Sequence, residues 1–78
     1  MPRSISTIAR DIRSDWINPY FGAVPYMQAM RHLNAIDDSF YNDDARSVVL
    51  YFLANASAWR GATARAIKAE LKAMLGKA

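Results

Sequence analysis

Apolar residues recur along this chain at three- and four-residue intervals, and the interruptions between them divide it into four helical segments. From Ser4 to Trp16, the residues Ile5, Ile8, Ile12 and Trp16 form one stripe, while Arg3, Arg10 and Arg13 fall together on another face. Ser4 is suited to cap this first helix. Asn18-Pro19 ends it, because the residue before a proline is pushed out of the α region. A second helix starts at Pro25, which fits a first turn. It runs to about Ile36, with Tyr26, Met27, Met30, Leu33 and Ile36 on its buried side. The third covers about 44–56. Asn42 or Asp43 is its expected cap, and Asp44 sits where the helix dipole favours negative charge. The fourth begins between Trp59 and Thr63 and runs to about Leu75, with Gly76 as its stop. Ile67, Leu71, Met74 and Leu75 are its apolar stripe.

The third segment carries most of the bulk a core needs. Val48, Phe52, Leu53 and Ala56 fall at helical spacing, and Val49 and Leu50 broaden that face. A surface this wide predicts a central helix with the others packed around it. No stretch alternates with period two for long enough to support a sheet. The expected fold is all-α, a compact four-helix single domain spanning 1–78.

Composition narrows the class. Hydrophobic residues make up 53% of the 78 and charged residues 22%, which is the balance of a globular chain rather than a disordered one. A chain this short buries a smaller share of its surface than a larger one, so its stability is modest. With no cysteine, disulfides and thiolate metal sites are excluded. No run approaches the ~18 apolar residues of a membrane span, and the N-terminal residues do not read as a signal peptide. The expectation is a cytoplasmic protein without a membrane segment.

The net charge of +3 is unevenly spread. Residues 1–35 are mildly basic, and 36–45 hold Asp37, Asp38, Asp43 and Asp44 with no cation. Residues 46–78 set Arg46, Arg60, Arg65, Lys68, Lys72 and Lys77 against Glu70 alone. The acidic loop invites a calcium reading. It lacks both the glycine at the bend and the bidentate Glu at the end of an EF-hand loop. Asp37 and Asp38 are better read as solvated and Asp43-Asp44 as a helix start, so no metal is expected. Catalysis is poorly provisioned. His32 is the sole histidine, and Ser57 and Thr63 are nucleophile candidates only by default. Neither an enzyme nor a cofactor is expected.

Two features remain as candidate interaction sites. The loop at 17–25 is rich in large apolar residues, whereas solvated loops are usually polar; Gly22 there is expected to supply a backbone conformation other residues resist. Tyr20, Phe21, Val24 and Tyr26 either seal the core or form a protein-binding surface, with Arg10 and Arg13 flanking it. At least two of the four are expected to be core, and of Tyr20 and Phe21 one is expected buried and the other exposed. Phe40 and Tyr41 are expected to fold back onto the core, as is Trp59, with Arg60 outside. The fourth helix offers the alternative. Arg65, Lys68 and Lys72 share a face, and Arg60 and Thr63 lie near its start, as in a helix-turn-helix reading helix. Against this, a Lys/Arg stripe on a terminal helix is usually its wet face. Asn and Gln, which read adenine, are absent from it.

The strings Trp16-Ile-Asn-Pro-Tyr-Phe-Gly-Ala-Val-Pro-Tyr26 and Tyr51-Phe-Leu-Ala-Asn-Ala-Ser-Ala-Trp-Arg-Gly61, followed by the Lys-rich end, resemble a group of small proteins encoded in bacterial phages and mobile elements. The resemblance covers roughly residues 8–75. It brings no activity and no catalytic residues. What it implies is an accessory factor that binds a host or viral macromolecule. The expected function is a non-catalytic module that engages a protein partner or self-associates; the alternative is a nucleic-acid binder using the last helix.

Overall fold

The computed structural model describes residues 3–40 and 43–76, and the expectations for the Phe40 side chain, Tyr41 and Asn42 lie outside what it describes. The fold is all-α, a small helical domain built on one hydrophobic core. Its elements are α1 (Ile5–Asp15), a 3-10 turn (Phe21–Ala23), α2 (Val24–Met30), α3 (Ala45–Ala54) and α4 (Ala62–Gly76). Between α2 and α3 lies a two-residue antiparallel ladder, β1 (Ser39–Phe40) with β2 (Asp43–Asp44), too short for period-two alternation to register. α2 packs against α1 and α3, and α4 against the same two, so the four helices close a ring.

α1 forms as its stripe predicts. Ile5, Ile8 and Ile12 are fully buried and Trp16 nearly so. The Ser4 hydroxyl accepts from the Thr7 N–H at 3.2 Å, satisfying one of the orphan donors of the first turn. Two more are satisfied from elsewhere in the chain: Ile5 N–H donates to the Asn34 carbonyl at 2.9 Å, and Ser6 N–H to that of Leu33 at 2.8 Å.

α2 stops at Met30 and not at Ile36. After Met30 the backbone tightens into i to i−3 bonds, Arg31 to Gln28, His32 to Ala29 and Leu33 to Met30. Leu33 still enters the core, fully buried beside Met27 and Met30. Asp38 then fastens the turn: its carboxylate accepts from the N–H groups of Asn34 (2.8 Å) and Ala35 (3.1 Å). These donors hold its pKa below the ordinary value, Ala35 first and Asn34 second. Asp38 is therefore a structural acceptor and not merely solvated.

The N-cap of α3 is Asp44, one position later than expected, accepting from the Ser47 N–H at 2.8 Å. Ala45, Val48, Val49 and Phe52 form the inner face of α3, and Ala56 is buried just beyond its end. Leu53 is only half-buried and Leu50 is exposed, so the covered face is narrower than the apolar surface the sequence offers. At the centre, Phe52 meets Trp16 and Trp59 edge-on, with ring centroids 6.4 and 6.3 Å apart. The two indoles stack at 5.8 Å and 10°.

α4 buries Ala64, Ile67, Leu71 and Met74. Arg46 reaches from α3 to the Leu75 carbonyl (3.0 Å), meeting an unpaired group at the C-terminal end of α4. Arg3 does not join Arg10 and Arg13. It grips Glu70 on α4 through two bonds of 2.9 and 3.2 Å and also pairs with Asp11 on α1.

Candidate protein-binding surface

The 3-10 turn and the start of α2 lie against the C-terminal half of α3. Gly22 is the point of closest approach. A Cβ there would stand 2.6 Å from the Tyr20 ring and 2.9 Å from the Asn55 side-chain oxygen. A side chain at 22 would have to displace the Tyr20 ring and the Asn55 amide; the unusual backbone conformation belongs to Gly61, at φ +114°. Asn55 is itself fixed, its amide donating to the Tyr51 carbonyl at 2.8 Å.

Around this contact the aromatic side chains line up. Phe21 and Tyr20 lie 4.8 Å apart between ring centroids, Tyr20 adjoins Asn55 across Gly22, and Tyr51 meets Tyr26 at 5.5 Å. Phe21 is 80% exposed, Tyr51 56% and Tyr20 47%, while Tyr26 and Val24 are half-buried. Neither Tyr20 nor Phe21 is buried, so the expected division between them does not occur. Of Tyr20, Phe21, Val24 and Tyr26, the last packs against the core and none is itself a buried core residue, so the expected pair of core residues is not found. The result is an aromatic strip of two ring pairs, Tyr20–Phe21 and Tyr26–Tyr51, with Asn55 beside Tyr20 and bonded to the Tyr51 carbonyl.

Tyr51 was missed in the sequence because it stands in the most apolar stretch of the chain. Its position on the helix was the available signal. At roughly 100° per residue, Tyr51 lies about a third of a turn from Phe52 and on the outer side of the Val48–Phe52 face. Ile17 and Leu50 are also large and exposed.

Arg10 and Arg13 line a groove between α1 and α2, together with Arg31, that none of the four loop residues lines. Arg60, Thr63, Arg65 and Lys72 are exposed on or near the start and outer face of α4. Lys68 is not available in the same way. Its ammonium donates to the Trp59 carbonyl at 2.6 Å and lies 5.9 Å from the centroid of that residue's ring. Desolvation lowers its pKa, with repulsion from Lys72 and Arg60 adding to the effect. Trp59 is buried and Arg60 exposed, as expected.

His32 lies exposed in the turn after α2, Ser57 in the α3–α4 turn and Thr63 in the first turn of α4, so these three stand on separate elements. Among the described residues, no three acidic or histidine side chains are placed to hold a metal ion, and no helix is long and apolar enough to cross a membrane. Comparison of the chain with known families, curated proteins and solved structures finds no match.

Proposed function

We propose that the protein is a non-catalytic binding module that docks another polypeptide on the aromatic strip of Phe21, Tyr20, Tyr51 and Tyr26. One observation carries this reading: Phe21 (80%) and Tyr51 (56%) stand more than half exposed, each in ring contact with a second aromatic, Tyr20 and Tyr26 respectively. Interface centres are enriched in Tyr and Phe and depleted in charge, and rigid aromatic anchors dominate binding energy. The strip is also preorganised. Pro19 and Pro25 bracket the loop, Gly22 lets it sit tight on α3, and Asn55 is tethered, so little conformational freedom remains to be lost on docking. An accessory factor of the kind the phage-type resemblance implies would work through such a surface.

The test is affinity capture from nuclease-treated bacterial lysate with the parent, Phe21→Ala and Tyr51→Ala, alongside sedimentation of the purified proteins. Capture of a partner lost in both folded variants supports the reading. Concentration-dependent dimerisation lost in the same variants makes the partner a second copy. The nucleic-acid alternative rests on Arg60, Thr63, Arg65 and Lys72, with Lys68 turned inward, and predicts capture that nuclease abolishes.

A further inference from the structure

Independently of the aromatic strip, the α1–α2 groove has the makings of a ligand site. Arg10 and Arg13 stand three residues apart on α1, and Arg31 caps the C-terminal end of α2, so guanidiniums approach the groove from both walls. Ser6, Ser14 and Gln28 add hydroxyl and amide groups at its rim, and buried Ala9 and Met27 form an apolar floor. Its volume is about 360 Å³, within the range of small-molecule sites.

The charges are uncompensated. No acidic side chain lines the groove. The two acids of α1 are engaged elsewhere, Asp11 by Arg3 and Asp15 by the Trp59 indole. Among the described residues, the side chains of Arg10, Arg13 and Arg31 enter no hydrogen bond or ion pair. Three like charges held around one concavity attract an anion. Guanidinium forks suit phosphate oxygens, which they can bind in pairs.

We propose that this groove binds a small phosphate-bearing anion of nucleotide size, its phosphates on Arg10, Arg13 and Arg31 and its apolar portion over Ala9 and Met27. A charge of three matches the phosphates of a nucleoside di- or triphosphate. The enclosure by two helices favours a compact ligand over an extended nucleic-acid backbone, which would track an open stripe.

The experiment is calorimetric titration with ATP, with pyrophosphate, adenosine and a short DNA duplex as further arms. Amide shifts are followed by NMR. ATP should bind with an affinity that weakens with salt, shifting Ala9 and Met27 but not Tyr51, and pyrophosphate should compete. Arg10→Gln, Arg13→Gln and Arg31→Gln should each weaken ATP binding roughly tenfold or more, without changing the melting temperature. The proposal is overturned if ATP does not bind or if the three variants bind it as the parent does. Adenosine binding as tightly as ATP, or tighter binding of DNA through the same arginines, would also overturn it.

Discussion

Trp59 stacks on Trp16 at 5.8 Å and donates its indole N–H to the Asp15 carboxylate at 2.8 Å, so one side chain in the α3–α4 turn locks the end of α1. The two contacts are separable. Trp59→Ala removes both and should cost about 3–5 kcal/mol. Trp59→Phe keeps an aromatic ring but removes the donor. Because Asp15 is exposed and water can replace the bond, it should cost less, about 1–2 kcal/mol beyond the lost ring volume. Urea unfolding of both variants checks the order, and Asp15→Asn should fall below either.

Phe52 and Leu53 are neighbours with different fates. Phe52 is fully buried between the indoles, and Phe52→Ala should cost about 3–5 kcal/mol. For a domain of this size that is a large share of its stability. Leu53 is half-buried, so Leu53→Ala should cost roughly 1–2 kcal/mol. Thermal melts distinguish them; equal losses would mean that the inner face of α3 is misassigned.

Acid should loosen the α2–α3 connection first. Donors from Ala35 and Asn34 lower the Asp38 pKa, and those from Ser47 lower that of Asp44, both from an ordinary value of 3.8. A folded pKa below the unfolded one contributes stability that is complete above the unfolded value and disappears as pH falls through the folded one. Stability should therefore decline below about pH 4. Asp38→Asn with Asp44→Ser retains side-chain acceptors without these titrations. That double variant should show a flatter dependence between the two limits, measured by denaturant melts at stepped pH.

Lys68 and its neighbours on α4 should respond differently to alanine substitution. The account predicts only weak, sequence-independent binding to duplex DNA at physiological salt, falling steeply as salt rises. Arg65→Ala and Lys72→Ala should weaken it with little change in melting, whereas Lys68→Ala should lower the melting temperature by freeing the Trp59 carbonyl. Fluorescence anisotropy with parallel melts separates the effects. Tight, sequence-selective binding abolished by the Arg65 and Lys72 variants would make nucleic acid the partner.

The helical periodicity read in the chain carried most of the fold. The isoleucines of α1, the capping Ser4, Val48, Val49, Phe52 and Ala56, and Ile67, Leu71 and Met74 of α4 follow from spacing, whereas Leu53 and Leu75 are only half-buried and Leu50 is exposed. What did not follow locally came from tertiary pairing. The turn that follows the early end of α2 hands the Leu33 and Asn34 carbonyls to α1, some thirty positions away in the chain. Lys68 shares a periodic face with Arg65 and Lys72, yet a neighbouring turn draws it in. Of the candidate strip, Tyr20 and Phe21 were legible as apolar residues in a loop and Tyr26 as the start of the helix that follows. Tyr51 was hidden among core residues, although its place on the helix sets it off the Val48–Phe52 face.

The most direct measurement is capture by Phe21→Ala, compared with the parent under nuclease treatment and paired with its melting curve. Phe21 is 80% exposed, so removing its ring should leave the melting temperature within a few degrees of the parent. The account predicts that the folded variant loses the captured protein, or loses self-association if the partner is a second copy. Undiminished capture by both Phe21→Ala and Tyr51→Ala, with melting unchanged, would contradict it.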